Sequence, residues 1–396
     1  MTVVAVGIHI YELTGSTVAV AAVGIVALVP MIVAGLYGGM LADHFDRRIV
    51  AMVAAAVAWT STAGIATLAW LGVEVLGAYY ALTSIIAVAA TVIGAVRQAI
   101  LPRLLPASLL PAASALQGMS VGLMVTLGPA LAGVLIAMVG IPWTYTADVV
   151  LFTAAFLGIA TLPPIRPEGE TSRPGLASML GGLRYLRQAP NIRASYLVDL
   201  IAMTFGRPHA LFPAIGAVLL GGGAITVGVL TAAVAVGTIV SSLFSGRVGT
   251  IRRHGLAIGW SVILFGAATV AFAVVLLASL GQPVTAELDG ANWTGIALAF
   301  VALAITGGAD NISMIFRMTM LQVAVPDHMR GRMQGVFMVV VTGGPRLGDL
   351  YIGLAVLAGS LWFPPLLGGV LIMVLTGLLL RLQPRFRHYD ALDPQP

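Results

Sequence analysis

The stretch VAVAAVGIVALVPMIVAGLYGGML, residues 18–41, contains no charged residue and is followed by the polar loop ADHFDRR, residues 42–48. It is long enough to cross a bilayer as a helix, which takes about 20 predominantly apolar residues. Because lipid offers the backbone no hydrogen-bond partners, such a run has to satisfy its own peptide groups, as a helix does. The stretch therefore predicts a membrane-spanning helix that ends at a polar loop.

Similar apolar runs recur along the whole chain. Hydrophobic residues make up 59% of the 396 and charged residues only 9%, whereas a soluble domain has about 25% charged residues. We therefore expect one integral all-α membrane protein rather than a soluble enzyme with an anchor. Twelve spans are predicted near residues 2–11, 18–41, 49–71, 76–96, 112–139, 143–162, 195–219, 225–243, 256–278, 294–316, 335–357 and 362–381.

The first run, residues 2–11, is the exception because about ten residues rise only some 15 Å as a helix. We interpret it as the second half of a truncated opening helix, whose first half would be encoded upstream of Met1. A re-entrant segment is the alternative.

All 20 lysine and arginine positions of the chain are arginine. Eighteen of these arginines follow even-numbered spans, and Arg97 and Arg317 are counted among them as the residues that follow spans four and ten. The loops after odd-numbered spans carry acidic side chains such as Glu74 and Asp289. Because cytoplasmic loops are enriched in arginine and lysine, the even-numbered loops and the C-terminus are predicted to be cytoplasmic. This topology explains the basic isoelectric point without a nucleic-acid partner.

One long polar interruption, residues 163–194, divides the chain into two halves. It contains LASMLGGLRYLRQ, residues 176–188, which is typical of an amphipathic helix at the cytoplasmic surface. We expect an N-terminal bundle of six spans at 1–162, a C-terminal bundle at 195–382 and a cytoplasmic tail at 383–396.

The two halves also repeat each other in sequence. Four residues recur 216–220 positions later: Arg97, Pro106, Gln117 and Gly128 as Arg317, Pro326, Gln334 and Gly344. Two parallel repeats of six helices are the arrangement of major facilitator transporters, which rock around a midplane site. The repeat therefore predicts two six-helix bundles related by pseudo-twofold symmetry.

The loop GMLADHFDRR, residues 39–48, resembles the signature between the second and third helices of the major facilitator superfamily, although His44 and Asp46 depart from its usual pattern. Asp43 would lie in a tight turn, accept N–H groups at a helix N-terminus and pair with arginine. A charged turn that only fixes topology is the alternative. The resemblance implies a cytoplasmic latch between the two halves, formed by Gly39, Asp43, Arg47 and Arg48.

Four further stretches resemble drug and siderophore exporters of the enterobactin-exporter type: residues 198–213, 308–313, 325–332 and 343–349. The stretch GLMVTLGPALAG, residues 122–133, resembles the fifth-helix motif of antiporters. Close packing by small residues, with a bend at the proline, is the alternative. The predicted helix-bend motif consists of Gly128, Pro129, Gly344 and Pro345.

Charged side chains inside the predicted spans are costly and call for a partner or a function. Arg346 and Asp349 are three residues apart and can pair on one helix face, whereas Asp199 and Arg207 are about 12 Å apart along a helix. Structural ion pairs and a hydrogen-bonded histidine are the alternatives to function. The candidates for proton coupling are Asp199, Asp310, Asp349 and His209. The candidates for lining a substrate cavity are Arg207, Arg346 and Asn311.

The chain has no cysteine, no phosphate-binding glycine loop and no metal-ligand spacing. We therefore expect a secondary transporter rather than an enzyme, driven by the proton gradient and without a cofactor or metal. The resemblance implies a monomer of the inner membrane that exports a small amphipathic molecule, siderophore or drug-like, by proton antiport with alternating access. The alternatives are a nutrient importer of the same fold and a non-transporting protein such as a lipid scramblase or scaffold.

Overall fold

In a computed structural model of the protein, residues 1–104, 124, 127–161, 163–164, 184–243, 251–357, 360–393 and 395 are described. These residues form helices joined by turns and contain no β-strand, so the all-α class is confirmed. The chain divides into two compact units, Met1–Leu176 and Ala177–Pro396. The predicted amphipathic helix at 176–188 lies mostly outside the described residues. Its described part, residues 184–188, is helical.

The helices of the first unit overlap the predicted spans, although α4 continues eight residues past the predicted end at 96. They are α1 (Thr2–Thr14), α2 (Thr17–His44), α3 (Arg47–Trp70), α4 (Leu76–Leu104), α5 (Leu127–Val139) and α6 (Ile141–Ala160). The part of span five before residue 124 lies outside the described residues.

The described part of the second unit continues the series with six long helices. They are α7 (Pro190–Phe205), α8 (Gly223–Leu243), α9 (His254–Ala278), α10 (Trp293–Ala324), α11 (Asp327–Leu357) and α12 (Phe363–Leu382). Within the described parts of both units, eight helices are long and apolar enough to cross a membrane: α2, α3, α4, α6, α8, α9, α10 and α12.

Helices pack in the same order within each unit. In the first unit, α4 packs against α2 and α3, and α3 also packs against α6. In the second unit, α10 packs against α8 and α9, and α9 also packs against α12. The second set of pairs is the first set moved six helices along the chain, as two parallel repeats require.

Span seven is not the continuous helix that the sequence predicts for 195–219. Helix α7 ends at Phe205, and the chain turns at 206–208 before short helical turns of different pitch at 209–219. Pro208 and Pro213 lack the N–H group that a continuous helix needs. Arg207 therefore lies in a break between two helical pieces, and its distance from Asp199 is not set by one helix.

Helices α8 and α10 approach each other through glycine. A side chain at Gly237 would overlap the carbonyl of Ala304, and one at Gly307 would overlap the carbonyl of Val234. Small residues allow such close backbone contact. In lipid the hydrophobic effect does not drive helices together, so the dispersion attraction at this contact stabilises their association. The contact fixes the position of α10, the helix that carries most of the charged site.

Candidate functional site

An arginine lies inside α10 and is completely buried. The Arg317 side chain is 0% exposed, and its Nη1 forms an ion pair with Oδ1 of Asp199 on α7, which is 1% exposed. Its Nη2 donates to Oδ1 of Asp310 at 3.3 Å, and the Asp310 side chain is 33% exposed. The structure therefore joins two helices of the second unit through one arginine and two carboxylates, which we call the Arg317 triad.

The prediction that Arg317 follows span ten as a loop arginine is wrong. Helix α10 continues to Ala324 and therefore includes Arg317, and α4 continues to Leu104 and likewise includes Arg97. Asp310 and Arg317 are seven residues apart, two helical turns, and so they share one face of α10. That spacing was a signal in the sequence that the repeat with Arg97 concealed.

The charges of the triad do not balance. Two carboxylates share one guanidinium, so one negative charge remains when both are ionised. In addition, Oδ2 of Asp199 and Nε of Arg317 are buried and have no hydrogen-bond partner among the described residues. Leaving buried polar groups without partners costs free energy. A proton on either carboxylate would remove the excess charge of the triad itself, and Arg207, which interacts with Asp199, offsets part of that charge.

A second ion pair lies on α11, as the sequence predicts. Nη1 of Arg346 lies 3.4 Å from Oδ2 of Asp349, and the two side chains are 27% and 19% exposed. Arg207, in the break of span seven, donates from Nη1 to the sulfur of Met203 at 3.9 Å. It is also close enough to interact electrostatically with Asp199 and Asp349.

Asn311, a predicted cavity residue, has hydrogen bonds to α8. Its Nδ2 donates to Oγ of Ser241 at 2.9 Å, to Oγ of Ser242 at 3.0 Å and to the carbonyl of Thr238 at 3.4 Å. These bonds connect α10 to α8 next to the triad residue Asp310. A role of Asn311 in lining the cavity stays a prediction.

His209 follows the break of span seven. Its ring lies 5.0 Å from the ring of Phe212, measured between centroids. Its Nδ1 is buried and has no hydrogen-bond partner among the described residues. The alternative of a hydrogen-bonded structural histidine therefore has no support at this atom, and proton handling by His209 stays a prediction.

The predicted latch residues lie at the junction of α2 and α3. Gly39 and Asp43 belong to the last turns of α2, so Asp43 is not in the turn, and their side chains lie outside the described part. Asp46 caps α3 instead, because its Oδ1 accepts the N–H of Arg48 at 2.9 Å. Nη2 of Arg48 donates to the carbonyl of Ala160 at 2.6 Å, at the end of α6. A latch role for these residues and Arg47 stays a prediction.

The predicted helix-bend motif lies within α5 and α11. Gly128 and Pro129 are in the first turn of the described part of α5, and Pro345 is inside α11. A side chain at Gly344 would press on Met203 of α7. The close approach of α7 and α11 at Gly344 supports the packing interpretation of this copy of the motif.

Among the described residues no group of three or more histidine or acidic side chains could hold a metal ion. The expectation of a site without metal or cofactor is not tested by that observation.

Comparison with known proteins gives consistent matches over the whole chain. A family model described as transmembrane secretion effector matches residues 1–396. The enterobactin exporter EntS of Escherichia coli K12 is 26% identical over 395 residues, which cover 99% of this chain and 90% of that protein.

Two solved structures share the fold at low sequence identity. A POT family transporter in complex with 5-aminolevulinic acid matches with a TM-score of 0.75 and 9% identity, over 97% of this chain and 93% of that chain. A D-xylose–proton symporter matches with a TM-score of 0.70 and 13% identity, over 98% and 95% of the two chains. The predicted major facilitator fold is thereby confirmed.

Proposed function

We infer that this chain, which belongs to the transmembrane secretion effector family and is a transporter rather than an enzyme, exports a small amphipathic molecule in exchange for protons. The observation that carries the coupling is the Arg317 triad, in which two carboxylates share one guanidinium. The steps of the exchange follow from the exposure of these two carboxylates.

Asp310 is the best candidate for the proton carrier. A carrier has to exchange protons with water in at least one state of the transport cycle. Asp310 is 33% exposed and Asp199 is 1% exposed, so water reaches Asp310 more easily. A proton on Asp310 would leave Asp199 and Arg317 as a neutral pair. This arrangement lets the site alternate between a protonated and an ionised form at a low electrostatic cost.

The role of Arg317 in this cycle is to set the proton affinity of Asp310. A carboxylate binds a proton less readily beside a guanidinium and more readily in an apolar environment. A rearrangement that draws Arg317 away from Asp310 would therefore favour proton binding, and its return would expel the proton. Alternating access would present Asp310 to the two sides of the membrane in turn.

The cargo is proposed to be amphipathic, siderophore or drug-like. Charged side chains are sparse along the chain, at 9%, which favours an apolar cargo over a sugar or a phosphate. The relative with 26% identity is named an enterobactin exporter. Because Arg346 is paired with Asp349, Arg207 is the better candidate to contact an anionic or catecholate group of the cargo.

We propose that the protein resides in the inner membrane as a monomer, with its C-terminus in the cytoplasm. The arginine distribution supports this orientation, and removing Arg317 from the loop arginines leaves the pattern intact. The chain has no cysteine, so single cysteines can be introduced without further substitution. An impermeant maleimide should label R385C only in inverted vesicles and Q282C only in right-side-out ones. The reverse pattern would refute the orientation.

The transport test uses inverted membrane vesicles that contain the protein, with enterobactin and an amphipathic fluorescent dye as probes. Energised vesicles should accumulate at least one probe, and a protonophore should abolish the accumulation. Asp310→Asn should remove the dependence on the proton gradient. The matched control is Asp289→Asn, at an exposed position in the short 3-10 turn Leu288–Gly290 between α9 and α10, which should behave as the unaltered protein.

The same vesicles separate the alternatives. Accumulation only in right-side-out vesicles would favour a nutrient importer. Loss of lipid asymmetry without accumulation of either probe would favour a scramblase. Accumulation that ignores the protonophore would refute proton antiport, and an unchanged gradient dependence in Asp310→Asn would exclude Asp310 as the carrier.

A further inference from the structure

The C-terminal tail is packed against the second unit rather than free in solvent. Residues 384–393 and Gln395, which we call the C-terminal clasp, begin with a short helix at Pro384–Arg387. Phe386 of this segment is 0% exposed and Tyr389 is 4% exposed. Burial of two large aromatic side chains gives a surface tail a firm attachment, because each removes a large apolar area from water.

One edge of the clasp is bonded to the chain just before α9. The N–H of Ala391 donates to the carbonyl of Arg252 at 2.9 Å. The Arg252 guanidinium lies 3.2 Å from Oδ2 of Asp390. The N–H of Leu392 donates to Asp390 and is the main reason that the pKa of that carboxyl is below its ordinary value, and Arg252 adds to the effect.

Two more contacts connect the clasp to different helices. Nδ2 of Asn191, in the first turn of α7, donates to the carbonyl of Gln395 at 3.0 Å. The carbonyl of Phe386 lies so close to Gly255 of α9 that any side chain there would overlap it. The clasp therefore contacts α7, which carries Asp199, and the start of α9.

A row of aromatic rings leads from the clasp to the Arg317 triad. The ring of Tyr389 stacks on His254 with centroids 6.0 Å apart and an angle of 27°. His254 in turn lies 5.0 Å from the ring of Phe316, which is 1% exposed. Phe316 is the residue before Arg317 on α10. Thus the clasp supports both helices whose side chains meet in the buried ion pair.

We propose that the C-terminal clasp is a permanent part of the second unit and that Tyr389 and His254 are positioning residues for Arg317. They act through Phe316, which keeps α10 in the position where Arg317 meets Asp199 and Asp310. The proposal rests on the proposed function for its consequence, proton coupling. Its geometry is independent of any cargo.

The physical reason is the sensitivity of a buried ion pair to geometry. The attraction between the guanidinium and a carboxylate offsets their desolvation only when the contact is close and well oriented. Without the Tyr389 ring, His254 loses its stacking partner and keeps only the tilted contact with Phe316, so the support of Phe316 is weakened. A displaced Arg317 would stabilise the ionised carboxylates less, which changes how readily they bind protons.

The test is an infrared pH titration of the purified protein, which needs no cargo. The signal is the infrared carbonyl band of a protonated carboxyl group. The part of this band that disappears in Asp310→Asn is assigned to Asp310. In Tyr389→Ala the midpoint of this band should differ from that of the unaltered protein. Tyr389→Phe keeps the ring and should retain the original midpoint. An unchanged midpoint in Tyr389→Ala would overturn the positioning role.

A second measurement keeps all aromatic side chains and guards against misfolding of the alanine variant. Arg252→Cys with Ala391→Cys replaces two residues joined by a backbone hydrogen bond, so that a disulfide can tie the clasp to the chain before α9. The bridge should form readily in membranes and leave probe export unchanged, since a permanent clasp does not move. Poor bridging, or export lost on oxidation and regained on reduction, would overturn the proposal. Absence of export in the unaltered protein would instead refute the proposed function and leave the titration result standing.

Discussion

Replacing Arg317 by glutamine is the perturbation for which the structure gives the largest effect. The guanidinium is 0% exposed and neutralises Asp199, which is 1% exposed. Removing one partner of a buried pair leaves a buried charge without compensation, which costs about 3–5 kcal/mol. Asp199→Asn should cost less, because Arg317 then still faces Asp310 at 3.3 Å.

The assay is thermal unfolding of the purified protein in detergent, followed by intrinsic fluorescence at one fixed scan rate, because unfolding of such proteins is often irreversible. For a unit of about 200 residues, 1 kcal/mol corresponds to roughly 2–4 °C. Arg317→Gln should therefore lower the midpoint by about 6–20 °C. The double variant with Asp199→Asn should recover much of this loss, since the uncompensated charge is gone.

Two results would refute this reasoning. A midpoint of Arg317→Gln within 2 °C of the unaltered protein, about 1 kcal/mol or less, would mean that the ion pair does not form as described. A double variant as unstable as Arg317→Gln alone would mean that the loss comes from packing and not from the charge on Asp199. Arg252→Gln, at an exposed ion pair whose arginine is 63% exposed, is the control and should leave the midpoint almost unchanged.

Three further predictions concern the helices and the tail. Gly307→Ala should destabilise the protein by about 1–3 kcal/mol in the same assay, because the new methyl group meets the backbone of α8. Gly377→Ala, whose methyl group would lie in open space, is the control and should not destabilise it. Equal midpoints for the two variants would contradict the close contact. Asn311→Ala should cost about 0.5–1.5 kcal/mol by removing its hydrogen bonds to α8, whose two serine hydroxyls still donate to the carbonyl of Thr238, and an unchanged midpoint would exclude that bridge. The pKa of Asp390 is lowered in the folded protein, so its contribution to clasp docking is present above its unfolded pKa and lost as pH falls through the folded value. A spin label at R385C should therefore stay immobile at neutral pH and become mobile only in strong acid, and release already near pH 6 would contradict this.

The helices themselves could be predicted because the bilayer imposes a local requirement. Each apolar run has to satisfy its own backbone, so its length and hydropathy already identify it as a helix. Residues 225–243 and 256–278, for example, were predicted within two residues of α8 and α9. The pairing of Arg346 with Asp349 was also predictable, because both lie on one helix and their spacing fixes the contact.

The Arg317 triad depended on tertiary structure. Asp199 and Arg317 are 118 positions apart in the chain, and only the packing of the second unit brings α7 to the face of α10. The topology rule predicted that Arg317 belongs to a loop, because in a linear sequence an arginine that ends an apolar run looks the same whether the helix stops there or continues. The break in span seven was also not predicted. Pro208 and Pro213 are visible in the sequence, but only the structure shows that the helix ends before them, at Phe205.

The C-terminal clasp was beyond the sequence for the same reason. Residues 383–396 are predicted only as a cytoplasmic tail, and nothing local indicates that Phe386 and Tyr389 are buried against the second unit. The sequence by itself determined the membrane class, the helices and the two six-helix repeats, because these follow from local apolar length and internal repetition. Tertiary structure alone decided which charges meet and what holds them, because a buried ion pair depends on contacts between helices that are distant in the chain.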